Sequence, residues 1–430
     1  MFRTQFFIKG IFLSLALFLA SPVGAAADPL VSINIIDRNG LSQTISSKER
    51  LKRYQHVDFL RPHPYQKVMR VFRPVRNIGT KAIITSYHSN GQPKQYLEAI
   101  NNRALGAYKE WFPNGKPRLN ARVIGGVADI SVTAEKSWVF DGKCLAWHEE
   151  GPLAAEITYN KGAMEGASTY YHSDGNIWKK VPYKNNTIEG KEETFLATGE
   201  LFTSSEYHEG TPHGKTIKYW ADTPNLCAAE EEFQNGRLLK GRYYDKEGKL
   251  ITQVDGGSGF RALFGQNAVC ELQEYRNGTL DGEVRSFAID GQLAKIHHVK
   301  NQIKHGEETV FYNSVIINKK DKVQPQMSLN WYQGRVQGVV KTWYDTGLLE
   351  SQREMSDNRK HGLCTAWYPD GSLMLVEEYD TDKLLKGEYH KKGEVVPVSR
   401  IVDGTGICTL FSADGNFLRK VQYFDGEPQG

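Results

Sequence analysis

Short alternations of apolar and polar residues, bounded by glycine, asparagine or aspartate, run through most of this chain and predict strands joined by tight turns. Residues 166–185 read GASTYYHSDGNIWKKVPYKN. Residues 167–171 form one strand, Ser173-Asp174-Gly175 a turn whose glycine takes positive φ without a Cβ clash, and residues 177–183 the returning strand. The pattern recurs about every 24 residues. Counting from a glycine as zero, an aromatic stands at plus five and a second glycine at plus nine. Gly106, Gly142, Gly166, Gly190, Gly282, Gly338, Gly362 and Gly406 start full units, with Trp111, Trp147, Tyr171, Phe195, Phe287, Trp343, Trp367 and Phe411 at plus five. Gly214, Gly259 and Gly306 keep the aromatic (Tyr219, Phe264, Phe311) and lose the second glycine. A second column stands on the returning strand: Tyr159, Tyr183, Tyr207, Tyr379 and Tyr423, with Met355 in the same place. Burying an aromatic contributes about 2–3 kcal/mol, which one two-stranded hairpin cannot exploit alone. Hairpins stacked side by side can, so the columns are read as packing. An exposed stacking platform for sugars is the alternative.

The lapses in the pattern carry a second level of order. Leu238-Leu239-Lys240-Gly241 returns as Leu384-Leu385-Lys386-Gly387, and Val254-Asp255-Gly256 as Val402-Asp403-Gly404. Unit starts 142, 166, 190, 214, 241 and 259 map onto 282, 306, 338, 362, 387 and 406. A block of six hairpins has therefore been duplicated (about 142–281 and 282–430), with a charged insertion at 318–326. Residues 28–82 lack the repeat. A strand at 30–36, a turn at Asn39-Gly40, a capping-box helix around 47–54 and an extended stretch at 66–75 predict a small α+β region. It is read as a cap on the first apolar edge of the array, with a separate ligand-binding role as the alternative. The expected fold is all-β: an elongated, open array of hairpin repeats over 83–430 behind that cap.

Composition and the first residues narrow the class. Arg3 and Lys9, an apolar run at 11–20 and the small residues before Ala27 read as an export signal, too short to span a bilayer comfortably. The mature chain is expected to be periplasmic, cell-envelope or secreted after cleavage near Ala27. Losing Arg3 and Lys9 takes 54 basic residues to 52, against 50 acidic, a net charge of +2. No basic stripe stands out, which argues against nucleic acid. The five cysteines, Cys144, Cys227, Cys270, Cys364 and Cys408, share no metal-binding spacing. They are read as small packed thiols, with one or two disulfides as the alternative.

Tyr207-His208-Glu209-Gly210-Thr211-Pro212-His213-Gly214 followed by Tyr219 resembles the MORN-repeat variant of bacterial proteins. So does Asp357-Asn358-Arg359-Lys360-His361-Gly362 followed by Trp367-Tyr368-Pro369-Asp370-Gly371. The resemblance covers roughly residues 83–430. It implies a repeat fold, and it brings labels with it: antitoxin for some members, lipid kinase for relatives that flank kinase domains. The export signal argues against a cytoplasmic antitoxin, and the repeat coverage leaves no room for a kinase domain.

Candidate chemistry is sparse. No phosphate-binding loop, zinc-protease motif or nucleophile elbow occurs. Gly256-Gly257-Ser258-Gly259 reads as an irregular hairpin turn, because no helix follows it. His297-His298 with His305 could suggest a metal. However, His305 precedes a repeat glycine, as do Glu165, Glu189, His213, Gln337 and His361, so it reads as a turn residue. Glu149-Glu150 and Glu230-Glu231-Glu232 read as solvated faces without the cleft a glycosidase pair needs. No catalytic, cofactor or metal residue is assigned, and no small-molecule substrate. The expected function is that of an exported, non-catalytic scaffold for another protein. Glycan binding at the cell wall and association with a lipid surface are the alternatives.

Overall fold

The computed structural model describes residues 29–265, 268–313 and 323–429. The export-signal reading at 1–27 and residues 318–322 of the charged insertion lie outside them. The regular structure of the described residues is nearly all strand, with two short helices and antiparallel pairing between neighbours in sequence. No helix among them is long and apolar enough to cross a membrane. By internal contacts the chain forms two units: the described residues up to 151 with 159–162, and 152–158 with 163 onward.

The first unit begins with Ser32–Asp37, which pairs with both Ser42–Ile45 and Gln66–Val75. Antiparallel strands then follow in order through Gly79–Tyr87, Pro93–Ile100, Arg103–Trp111 and Pro117–Gly125. Helix Lys48–Lys52 stands where expected, but its N-cap Ser47 makes no side-chain capping bond. Five residues are too few for a helix to hold by propensity. Leu51 anchors it instead, in a core of Ile33, Ile35, Ile45, Phe59, Met69, Val71 and Tyr87. The Tyr87 hydroxyl donates to the Phe59 carbonyl at 2.9 Å. The long interval between Gly106 and Gly142 holds helix Val132–Glu135, which the period conceals because four residues show no helical repeat. It brings in Trp138, whose ring packs edge-on against Tyr108 at 4.6 Å and whose Nε1 donates to the Val127 carbonyl.

In the second unit the hairpins follow one register. Gly166 lies opposite Tyr183, Gly190 opposite Tyr207, Gly362 opposite Tyr379 and Gly406 opposite Tyr423. The repeat glycine and the returning-strand aromatic are thus cross-strand partners, which ties the two sequence columns to one register. At each plus-five aromatic the register shifts by a residue, as at Tyr171, Phe195, Trp343 and Trp367. Such a bulge bends the strand and sharpens its twist. Within each unit the pairing is that of an open hairpin array.

Segments matched in sequence also share local geometry. The short hairpins Arg237–Tyr244 with Leu250–Asp255, and Lys383–Tyr389 with Ser399–Val402, end in matching glycine junctions. Gly257 N–H donates to the Leu239 carbonyl and Gly278 N–H to that of Gly257; Gly404, Leu385 and Gly426 repeat the arrangement. A Cβ on Gly257 or Gly404 would lie 2.5 Å from the Gly278 or Gly426 nitrogen. The glycine-rich segment 256–259 is therefore a turn packed against its neighbour's backbone, as its sequence suggests.

Candidate functional site

Three sets of side chains join one hairpin to the next. At one edge, the residue before the repeat glycine accepts from a backbone N–H of the following turn. Glu165 takes Asn185 at 3.0 Å, Glu189 takes Glu209 at 2.7 Å and Gln337 takes Asp357 at 3.0 Å. Those donors sit at positive φ (Asn185 49°, Glu209 48°, Asp357 53°), which aims their N–H groups back along the array. At the opposite edge, the polar ring after the plus-five aromatic reaches a carbonyl on the next hairpin. Tyr312 donates to Trp343, Tyr344 to Trp367 and Tyr368 to His390, each at 2.8 Å. Burial pushes the Tyr344 hydroxyl up to about 12, so it remains a donor.

The third set fills a recurrent gap. Glu98, Glu206 and Glu274 each occupy a position where the ladder skips a pair, and each accepts the N–H of the residue after the next repeat glycine. The distances are 3.0, 3.0 and 2.9 Å. Burial alone would raise the Glu274 pKa; the Glu283 N–H and Arg276 outweigh it and hold the carboxyl below its ordinary value.

The plus-five aromatics are neither buried nor exposed: all are intermediate, as are most of the second column. Plus two is buried in six units, at Tyr108, Ser168, Val284, Glu308, Val340 and Cys408, and intermediate at Cys144, Glu192, Thr216, Arg261 and Cys364. Some column aromatics pack in or against the buried clusters, among them Phe264, Tyr379 and Tyr423, and the row most often buried is one that the aromatic count passes over. Trp178, 49% accessible, is the one exposed tryptophan among the described residues.

Two buried glutamates stand at matching places, opposite the glycines of the two short hairpins. Glu230 is exposed and Glu232 intermediate, but Glu231 is buried, which corrects the reading of all three as a solvated face. It lies opposite Gly241, and Tyr243 folds back over that glycine to donate to it at 2.8 Å. Arg261 completes the centre with bonds of 2.7 and 3.1 Å to the two carboxylate oxygens. The guanidinium also lies against the rings of Phe233 and Tyr275. In the second block Glu377 lies opposite Gly387 and accepts from Tyr389 at 2.9 Å and Tyr379 at 3.0 Å. Cys408 replaces the arginine, and Lys360 sits over the Tyr379 ring while donating to its hydroxyl. One glutamate is thus compensated by a direct ion pair, the other by two hydroxyls. The available sequence signal was the shared spacing of Glu231, Gly241 and Tyr243 with Glu377, Gly387 and Tyr389.

The remaining candidates are dispersed. His297 points into the half-buried row opposite Val284, and burial together with Lys295 and Lys304 lowers its pKa. His298 bonds the Glu307 carbonyl, and His305 stacks on Tyr332 at 5.3 Å. No three His, Cys, Asp or Glu side chains among the described residues group as a metal set. Glu149 and Glu150 lie exposed in a turn. The five thiols are all free. Burial raises the pKa of Cys144, Cys364 and Cys408, and pushes Cys227 up to about 11, which keeps them protonated. On the outward side, Lys215, Ile217, Glu230, Glu232, Lys240 and Arg242 border a shallow groove of about 250 Å³.

Residues 164–185 match the family model of the MORN repeat variant, so the chain carries that repeat, over the same segment whose strand and turn pattern predicts a hairpin. No curated protein matches the chain.

Proposed function

We propose that the chain is an exported, non-catalytic scaffold that binds another protein through the outward side chains of its hairpin array. The division of labour within each strand supports this reading. Inward and edge positions are occupied by packing and by bonds between hairpins, leaving rows of mixed charge facing outward. In the groove beside the first short hairpin, Lys215, Glu232 and Lys240 stand on three successive strands, with Glu230 and Arg242 paired alongside. A row of alternating sign favours a partner of complementary charge pattern and discriminates by repulsion against others.

Affinity capture of the mature chain from its own cell envelope, followed by Lys215→Glu and Arg242→Glu, tests the reading. The expected result is a protein whose retention falls with rising salt and is lost in the charge reversals. Turnover of a substrate by the purified chain, abolished by one acidic substitution, would overturn it. The exposed Trp178 ring supports a second reading, glycan stacking. Retention on peptidoglycan at high salt, lost in Trp178→Ala, would put that reading first.

A further inference from the structure

His208 and His213 flank the turn between strands Leu201–His208 and Thr211–Tyr219, and their rings meet edge to face with centroids 5.8 Å apart. Each ring is held through the same nitrogen by a neighbouring hairpin. His208 Nδ1 lies 2.9 Å from Glu189 Oε1, while the other oxygen of that carboxylate takes the Glu209 N–H. His213 Nδ1 lies 3.1 Å from the Asn235 side-chain oxygen and 3.4 Å from the Asn235 backbone nitrogen. Neither Nε2 atom has a hydrogen-bond partner among the described residues. The two histidines line one open groove with Lys191, Glu206 and Tyr207.

A histidine that donates its Nδ1–H to a carboxylate or amide oxygen, as the shorter contacts to Glu189 and the Asn235 side chain allow, keeps the Nε2 lone pair for a metal ion. Imidazole nitrogen suits divalent ions of intermediate softness. We propose that His208 and His213 bind a divalent transition-metal ion of the zinc type through their Nε2 atoms, with Glu189 and Asn235 as positioning residues. No third His, Cys, Asp or Glu among the described residues completes a closed set. Water fills the remaining positions, which makes this an exchangeable site rather than a structural one. The ion would join the two strands of this hairpin directly, and the neighbouring hairpins through Glu189 and Asn235.

The second block supplies an internal control. His361 corresponds to His213 and contacts Asp380 at 3.2 Å, but Ser356 stands where His208 would be. The test is calorimetric titration of the untagged mature chain with zinc chloride, in a Cys270→Ser background because Cys270 is the exposed thiol. One equivalent should bind. His208→Ala and His213→Ala should each weaken binding about tenfold or more, and Glu189→Gln about tenfold. His361→Ala should leave it unchanged. Absence of zinc uptake, or loss in only one of the two histidine variants, would overturn the proposal.

Discussion

Gly241 and Gly387 have no positive φ, yet neither has room for a methyl group. An added Cβ would lie 2.4 Å from the Tyr243 hydroxyl and 2.7 Å from that of Tyr389. Each glycine is the gap through which a tyrosine reaches a buried carboxylate. Gly241→Ala should therefore destabilise the chain by about 1–3 kcal/mol through overpacking. Glu231→Ala should cost about 3 kcal/mol, because it leaves Arg261 partly buried without its counter-charge. Glu377→Ala should cost less, about 1–3 kcal/mol, because only hydroxyls lose their acceptor. Urea denaturation of the three variants measures these costs, and equal values for the two glutamates would contradict the account. The duplicated spacing was visible in the sequence. That Glu231 points inward between its two neighbouring glutamates was not, since strand parity cannot be fixed in a run of three identical residues.

For the hairpin, the repeat glycine has two separable demands on it. At Gly166 the backbone lies at φ +82° and an added Cβ would meet nothing within 4 Å. At Gly214 φ is +102° and the same Cβ would lie 2.0 Å from the Glu206 carboxylate oxygen, which accepts the Lys215 N–H. Gly166→Ala should cost only the left-handed backbone penalty, about 1–2 kcal/mol. Gly214→Ala should cost about 1 kcal/mol more, because Glu206 must also move and release its bond. Thermal denaturation distinguishes them. Repeating the comparison in a Glu206→Ala background isolates the contribution of that carboxylate, and the difference between the two glycine variants should shrink there. A difference that persists undiminished would show that Glu206 is not its cause. Strand, turn and period were legible at this scale because alternation and turn chemistry are local. The bulges at the plus-five aromatics were not, because a slipped register depends on which strand lies alongside.

At the scale of the molecule, four clusters of buried apolar side chains stand out among the described residues. Two lie in the first unit, around Ile33 and Leu97, and two in the second, around Tyr243 and Tyr389. The strands between 282 and 356 bury single residues such as Val284 and Val340 and belong to none of these clusters. Local opening is easiest where few apolar contacts must be broken. Hydrogen exchange should therefore be slowest in Arg237–Tyr244 and Lys383–Tyr389 and measurably faster in Gly338–Trp343 and Leu349–Ser356. Uniform protection along the second unit would show that the clusters do not set local stability.

The sequence by itself determined the hairpin, its period and its turns, because each rests on the chemistry of neighbouring residues. Tertiary structure alone decided which row is innermost, which glutamates are buried and how each is compensated. Those outcomes depend on side chains from three or four strands meeting at one place. Tyr243, Arg261 and Glu231 are separated by up to 30 residues along the chain, yet they share one centre. No local pattern encodes such a meeting, and Cys408, standing where the other block has Arg261, shows that the same fold accepts more than one solution to it.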